Sequence, residues 1–460
     1  MKKPFCNFHF LFASCWVEIF GESNVSIRNQ DPLSAAATLG EELGFPVYVV
    51  GGPVRDLLLA KRDRCGERTL PLSCSFDLDL NVEGDGILFA KKLADRLGGE
   101  TRIHKRFQTA NVRLPSGFKI DVATARKERY PHPAASPQVE RGSIREDLLR
   151  RDFSMNALAI RLNGEEACRL VDVSGGQEDL KKGIIRVLHD RSFIDDPSRI
   201  LRAVRFEQRF GFILESYTFA LMERGIQEGL VKLLSGPKLF QELTLILKEK
   251  EPLKCIRRLD ALDLLKVFYA ELFLTPGMIK RFELVRDSLA WYGRSCPAKK
   301  AEGWLVYLMA LLEDIVRQVT LKKKGLQEVC KQLVLPVAYV KILKETAKAE
   351  IDFHELFREE TPSLGYMGRI LHSYSLEVLL FLRAKTLESK LKDLLSHYLV
   401  ELIEVEPVLR GEDLVGLGLK PGPCFKEVIE KTRELKIDGI LRTREDEIQF
   451  VREHYLRGDQ

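Results

Sequence analysis

The sequence predicts an α+β protein: an N-terminal head built on a small mixed sheet with helices, then a long all-helical remainder. Two patterns carry this. Alternation of apolar and polar residues at period two is confined to roughly the first 160 residues, as in Phe76 to Val82, whereas periodicity near 3.6 dominates from about Leu180 onward, as in Gly303 to Val319 and Leu376 to Ile403. The length of 460 residues is about three times a typical ~150-residue domain, so a single small fold is excluded.

The elements follow in order. Residues 1–30 are read as a poorly ordered extension. Lys2 and Lys3 precede an uncharged stretch from Pro4 to Val17 that superficially resembles a targeting signal, but Asn7 and His9 interrupt it, Glu18 follows, and it is too short to span a bilayer. Asp31-Pro32 is a helix-start signal, and the Ala-rich helix it opens ends at Gly44. Phe45 to Val50 is β-rich and runs into Gly51-Gly52. A second strand, Phe76 to Val82, sets Phe76, Leu78, Leu80 and Val82 against Asp77, Asp79 and Asn81. A helix from Gly86 to Leu97 is stopped by Gly98-Gly99. Thr109 to Leu114 and Phe118 to Ala123 read as a hairpin around Pro115-Ser116-Gly117. Ala125 to Ser143, with Pro131, Pro133 and Pro137, reads as a long surface loop rather than sheet. Ser143-Ile144-Arg145-Glu146 is a capping box opening a new helix, and Ala157 to Leu162 reads as a further strand.

Composition sets the class. The hydrophobic fraction of 45% and charged fraction of 30% fit a folded globular chain, and no later segment approaches a membrane span. Lys and Arg exceed Asp and Glu by 72 to 67, a net +5 compatible with a polyanionic partner. The 9 cysteines form no CxxC pair, which fits a reducing cytoplasm, and Cys65 and Cys74 lack the rest of a zinc pattern.

Several groups carry chemistry. On a strand Asp77 and Asp79 share a face, and two such carboxylates can hold hard divalent cations for phosphoryl transfer. About 10 acid-x-acid matches arise by chance in such a chain, so the pair gains meaning from context. Asp121, on the polar face of the next hairpin, is a third carboxylate if its strand neighbours the first; otherwise it is an exposed position paired with Lys119. Gly51-Gly52-Pro53-Val54-Arg55-Asp56 sits at a strand-to-helix junction, where backbone N–H groups can face a phosphate and Arg55 adds charge, while the absence of Walker and GxGxxG patterns argues against a P-loop ATPase or nicotinamide enzyme. Arg150 and Arg151 are either phosphate-binding forks or a basic pair on a helix surface. Asp196 and Arg199, three apart on a helix, can together read the edge of a base; alternatively Asp196 is an N-cap and Asp195 an i,i+4 partner of Arg199. Arg202, Arg205 and Arg209 continue that face, and Lys322-Lys323-Lys324 reads as a helix C-terminus favoured by the dipole.

Gly51-Gly52-Pro53-Val54-Arg55-Asp56 followed by Asp77-Leu78-Asp79 resembles the first motif of the class II tRNA nucleotidyltransferases (CCA-adding enzymes) and bacterial poly(A) polymerases of the polymerase β superfamily. The resemblance continues in order through Arg150-Arg151-Asp152-Phe153-Ser154-Met155-Asn156-Ala157, the hinge-like Asp172 to Leu180, the base-selecting Asp195-Asp196-Pro197-Ser198-Arg199 with Arg202, a looser match at Ser235 to Leu243, and a tail at Arg410 to Leu414 with Pro421-Gly422-Pro423. It covers about residues 31–460. It implies a polymerase β-like head over 31–170, a helical neck over 171–270 that recognises the base, a helical body over 271–400 and a tRNA-binding tail over 401–460. The implied reaction is template-independent addition of CCA, or only its terminal A, to tRNA from CTP and ATP, with Mg²⁺ as cofactor, in the cytoplasm, with no role for membrane or DNA. Asp77 and Asp79 would hold Mg²⁺, with Asp121 as a further catalytic carboxylate. Gly51, Gly52, Arg55, Arg150, Arg151, Asp152 and Asn156 would bind triphosphate and ribose, and Asp195, Asp196, Arg199 and Arg202 the base side. Poly(A) polymerase and a non-catalytic RNA-binding protein on the same scaffold remain alternatives.

Three departures stand out. Asp195-Asp196 replaces the family's usual Glu-Asp, which leaves nucleotide choice open. The loop with Arg126-Lys127-Glu128-Arg129-Tyr130 looks more like a subgroup in which some members add only the terminal A and carry large N-terminal domains, which are not expected from this sequence. The segment between Asp56 and Phe76 is longer than usual and is expected to be a surface insertion.

Overall fold

A computed structural model describes residues 32–64, 77–322, 325–358 and 362–456. The expectations for residues 1–30, for Cys65 and Cys74, for most of the 56–76 insertion and for Lys323 and Lys324 lie outside them. The chain divides into two compact units between Leu234 and Ser235, within the segment 171–270 expected as a neck.

Among the described residues the first unit opens with α1 (Pro32–Leu43), closed by Gly44 at φ +66°. Strand β1 (Val47–Val50), buried throughout, leads through Gly51 into α2 (Gly52–Arg64). β2 (Asp77–Val82) follows, then α3 (Gly86–Leu97), whose N-cap Asp85 accepts from the amides of Ile87 and Leu88 and whose C-cap is the left-handed Gly98. Phe89, Ala90, Leu93 and Ala94 form the buried stripe that seats α3 on the sheet.

The chain then forms β3 (Glu100–His104), β4 (Thr109–Arg113) and β5 (Lys119–Thr124). The β4–β5 hairpin is as expected, with Arg113 opposite Lys119. The edge strand β3 is a correction to the sequence reading: its Glu100, Arg102 and His104 are polar on one face, and only pairing with β4 orders it. The expected loop at 125–143 is also corrected. It contains a hairpin of its own, β6 (Arg126–Arg129) with β7 (Gln138–Arg141). The three prolines fall in the connection between these strands, where no ladder N–H is required.

Ser143 caps α4 (Ile144–Leu149) in a complete capping box with Glu146. Ile144 and Leu148 pack on Tyr48, Val50, Ala157 and Ala159. β8 (Leu158–Arg161) and β9 (Leu170–Asp172) complete a seven-stranded sheet of order β3-β4-β5-β2-β1-β8-β9, antiparallel except for the parallel pair β2/β5. Beyond it lie α5 (Gly176–Lys182), β10 (Ile184–Ile185), α6 (Ser192–Asp195), α7 (Ser198–Phe210), β11 (Ile213–Leu214) and α8 (Ser216–Gln227). Strand character therefore persists past Leu180, because β10 pairs with β11 in parallel, too short a match for periodicity to reveal.

In its described residues the second unit is helical. The helix expected over Gly303 to Val319 runs from Gly303 to Lys322. The helical periodicity over Leu376 to Ile403 is realised as Leu376–Lys385, Ser389–His397 and a π-turn over Tyr398–Leu402. The chain leaves helical geometry at Thr386 (φ −67°, ψ 113°), whose hydroxyl donates back to the Leu382 carbonyl. Near the C-terminus Leu409, Leu414, Val428 and Val451 form a small separate core. Its loop is pinned by the fully buried Glu447, which accepts from the amides of Val408 and Leu409 and from Lys436.

Candidate active site

The parallel pairing of β2 with β5 sets Asp79 opposite Asp121. Neighbouring ladders extend this row outward, with Asn111 opposite Asp121 and Arg102 opposite Asn111. Leu78, Leu80, Ile120 and Val122 alternate into the core, which leaves both acids on the other, half-buried face. Asp121 is the third carboxylate by position, and its partner is the Asn111 amide rather than Lys119. The Asp77 backbone heads β2, opposite Lys119, and its side chain lies outside the described residues.

Gly51 follows the end of β1 near this row. Its backbone is left-handed (φ +72°), and a Cβ there would lie 2.8 Å from Arg151 Nη1 and 3.9 Å from Asp79 Oδ2. One guanidinium therefore lies over the glycine turn beside the Asp79 carboxylate. Arg151 Nη2 donates to Asp147, while its buried Nε has no protein partner. The adjacent Gly52 is different, since a Cβ there would meet only Arg55 Nη2 at 3.7 Å.

The other sequence-selected residues form a connected network. Arg55 is buried, donating to Asn156 Oδ1 at 2.7 Å and to Asp56 at 2.8 Å, with its guanidinium 4.8 Å from the Phe210 ring centroid. Asn156 Nδ2 donates to Asp152 at 3.0 Å, and Asp152 accepts from Arg202 Nε and Nη2 at 2.9 and 2.6 Å. Burial alone would raise the Asp152 pKa, but Arg202 and Asn156 outweigh it and hold the carboxyl well below its usual range. The chain Arg55–Asn156–Asp152–Arg202 thus clamps α2 to α7 through the turn that follows α4.

Arg150 and Arg151 have different situations. Arg150 donates to the fully buried Asp147 at 2.6 Å and to Glu128 at 2.9 Å, so its fork is filled from within the protein. Neither expectation for it, a phosphate fork or a surface pair, describes this arrangement. Asp147 is buried, which pushes its pKa up, yet the two arginines prevail and lower it. Glu128 also receives Arg126 and the Tyr130 hydroxyl, so the β6–β7 hairpin is tied to this centre. Burial and Glu128 together push the Tyr130 pKa upward.

The base-side residues also differ from the simplest expectation. Arg199 is buried and donates to Ser192 Oγ and to the Arg150 carbonyl, each at 2.7 Å. Asp196 accepts from the amide and hydroxyl of Ser198 at the start of α7. Asp195 pairs with Arg191 at 3.2 Å, not with Arg199. Arg205 is buried, with its guanidinium 4.6 Å from the Phe206 ring centroid, while Phe206 in turn stacks on Phe210.

Two neighbours of the carboxylate row escaped the sequence reading. Asn111 donates to Asp121, and His104 Nε2 lies 2.9 Å from Asn111 Oδ1. The alternation of Arg102 and His104 with Thr101 and Ile103 was the available signal. Among the described residues no group of three or more acidic, His or Cys side chains gathers as a metal centre. Asp79 and Asp121 supply two hard oxygen donors on facing positions, a donor set that suits Mg²⁺, which retains several waters. Among the described residues no helix is long and apolar enough to cross a membrane.

Comparison with known proteins agrees with this geometry. Residues 47–186 match the poly A polymerase head domain family. The chain is 36% identical over 418 residues to the A-adding tRNA nucleotidyltransferase of Geobacter sulfurreducens, covering 90% of this chain but only 46% of that longer protein. It is 31% identical over 438 residues to the A-adding tRNA nucleotidyltransferase of Halalkalibacterium halodurans, covering 92% of this chain and 93% of the relative. The solved CCA-adding enzyme of Thermotoga maritima in complex with tRNA superposes with a TM-score of 0.57 at 34% identity, covering 91% of this chain and 93% of that one. On its motifs, its fold and these relatives, the chain belongs to the class II tRNA nucleotidyltransferase (CCA-adding enzyme) family.

Proposed function

We propose that this chain is a template-independent RNA 3′-terminal nucleotidyltransferase that completes the CCA end of tRNA, or adds its terminal A, from CTP and ATP. The observation that carries the reading is the alignment of Asp79 and Asp121 across β2/β5, with Arg151 lying over Gly51 beside them.

Asp79 and Asp121, with Asp77 two residues before Asp79, would hold the divalent cation, Mg²⁺ in this reading. When bound, that ion supplies activation of the RNA 3′-hydroxyl and neutralises charge on the nucleotide phosphates. Arg151 and the amides at the start of α2 would face the triphosphate, and the bare Gly51 leaves room for its close approach. Arg150, whose fork Asp147 and Glu128 fill, braces Arg151 from behind by holding their shared acid. Arg55, Asn156, Asp152 and Arg202 would fix the ribose and base side, and Asp196 with Arg199 would meet the base edge. Within the helical remainder, the body (271–400) and tail (401–460) would grip the tRNA by shape and backbone, as A-form RNA requires. A cytoplasmic site of action fits tRNA processing.

The test supplies purified protein with Mg²⁺ and labelled CTP or ATP, and with tRNA transcripts ending before CCA, after C and after CC. Completion of CCA from the shortest transcript establishes a full CCA-adding enzyme. A single A added only to the CC-ended transcript establishes an A-adding enzyme. A long A ladder identifies a poly(A) polymerase instead, and no extension of any transcript overturns the catalytic reading in favour of an RNA-binding scaffold.

A further inference from the structure

We propose that Asn111 and His104 form a positioning pair that presets the Asp121 carboxylate for the divalent cation. The order of donors along this pair is forced by chemistry. An ionised carboxylate only accepts, so the group that Asn111 directs at Asp121 is its amide N–H, and Oδ1 must face His104. Oδ1 in turn only accepts, so His104 must carry its proton on Nε2 across the 2.9 Å contact. The result is a one-way chain, His104 to Asn111 to Asp121, running from the sheet edge to the acid opposite Asp79.

Each member supplies what the next lacks. The terminal torsion of an aspartate is soft, and one directed amide bond fixes the rotation of its carboxylate. An asparagine amide is nearly symmetric in shape, and a flip would set Oδ1 against the carboxylate; the His104 N–H selects against that flip. The backbone gives this chain a firm base. Asn111 lies directly across from both Asp121 and Arg102, and His104 ends β3 just before the turn Lys105–Phe107. Such outer partners typically set metal affinity by about 10–100-fold. The unforeseen edge strand β3 thereby has a functional reason: it brings His104 to the catalytic row.

This inference rests on the reading of Asp79 and Asp121 as the cation-binding acids, and the experiment separates the two. Mn²⁺ binding to the full-length chain is titrated by electron paramagnetic resonance without nucleotide, alongside ATP incorporation kinetics and thermal melts, for wild type, Asp79→Asn, Asn111→Leu, Asn111→Ser, His104→Leu and His104→Gln. The expected result is a Mn²⁺ Kd about tenfold weaker in Asn111→Leu, with kcat reduced and KM for ATP within about twofold of wild type. His104→Leu shifts the same way by less, and His104→Gln, whose amide can donate to Oδ1, returns to near the wild-type value. Asn111→Ser serves as the same readout if the leucine variant does not fold. Unchanged Mn²⁺ affinity in the Asn111 variants while Asp79→Asn abolishes binding overturns the positioning pair alone, as does a His104→Gln variant no better than His104→Leu. Mn²⁺ binding that survives Asp79→Asn overturns the reading of the site itself, and the pair with it.

Discussion

Replacing Gly51 with alanine tests whether the close approach at the end of β1 matters. The residue holds φ +72°, a region that costs an L-residue roughly 1–2 kcal/mol. The new Cβ would also stand 2.8 Å from Arg151 Nη1. Ordinary contact is about 3.5 Å, so the guanidinium must retreat by roughly 0.7 Å. For a unit of this size the strain lowers Tm by about 2–8 °C. A shift approaching 1 Å in a positioning group costs on the order of a hundredfold in rate, so single-turnover incorporation of AMP should fall roughly 10–100-fold. The matched comparison is Gly52→Ala. There the Cβ meets only Arg55 Nη2 at 3.7 Å, an ordinary distance, and the melt should stay within about 0.5 kcal/mol of wild type. Thermal melts and quench-flow kinetics on both variants decide the matter. Equal melts and equal rates for the two would refute the reasoning.

Three further outcomes follow from the same geometry. Arg202→Met strips the two-pronged partner from a nearly buried Asp152 and should destabilise the first unit by about 2–3 kcal/mol, less than a fully buried pair because Arg202 is partly exposed; a Tm within about 1 °C of wild type would contradict this. Asp152 titrates below a free aspartate (~3.9), so its contribution is complete at neutral pH and lost as pH falls below about 4. The stability gap between wild type and Asp152→Asn should therefore narrow progressively as pH falls below about 4 in urea titrations, and a constant gap would refute the assignment. Glu447→Ala removes the acceptor for two loop amides and Lys436, so it should cost about 3–5 kcal/mol in the second unit, read as early loss of amide-exchange protection around Val408 and Leu409; unchanged protection there would count against it.

The sequence alone determined what depends on neighbours a few positions away. Helix α3 with its Gly98 stop, the Ser143 capping box and the alternation of β2 are all written in local spacing, because caps and faces involve residues within about four positions of one another. The ordered motifs likewise named Gly51, Asp79 and Arg151, which lie close together, and the linked Arg55, Asn156, Asp152 and Arg202. Tertiary structure decided which side chains are available and what they face. Only the β2/β5 pairing sets Asp121 opposite Asp79, and only contacts 101 and 50 residues apart in sequence show Arg55 and Arg202 committed to Asn156 and Asp152. Arg150 and Arg151 are adjacent and chemically identical in sequence, yet burial against Asp147 and Glu128 makes one a brace and leaves the other over Gly51. Strand β3 and the β6–β7 hairpin were missed for the same reason: their polar residues are ordered by partners across the ladder or in the charged centre, and no local period records a partner that distant.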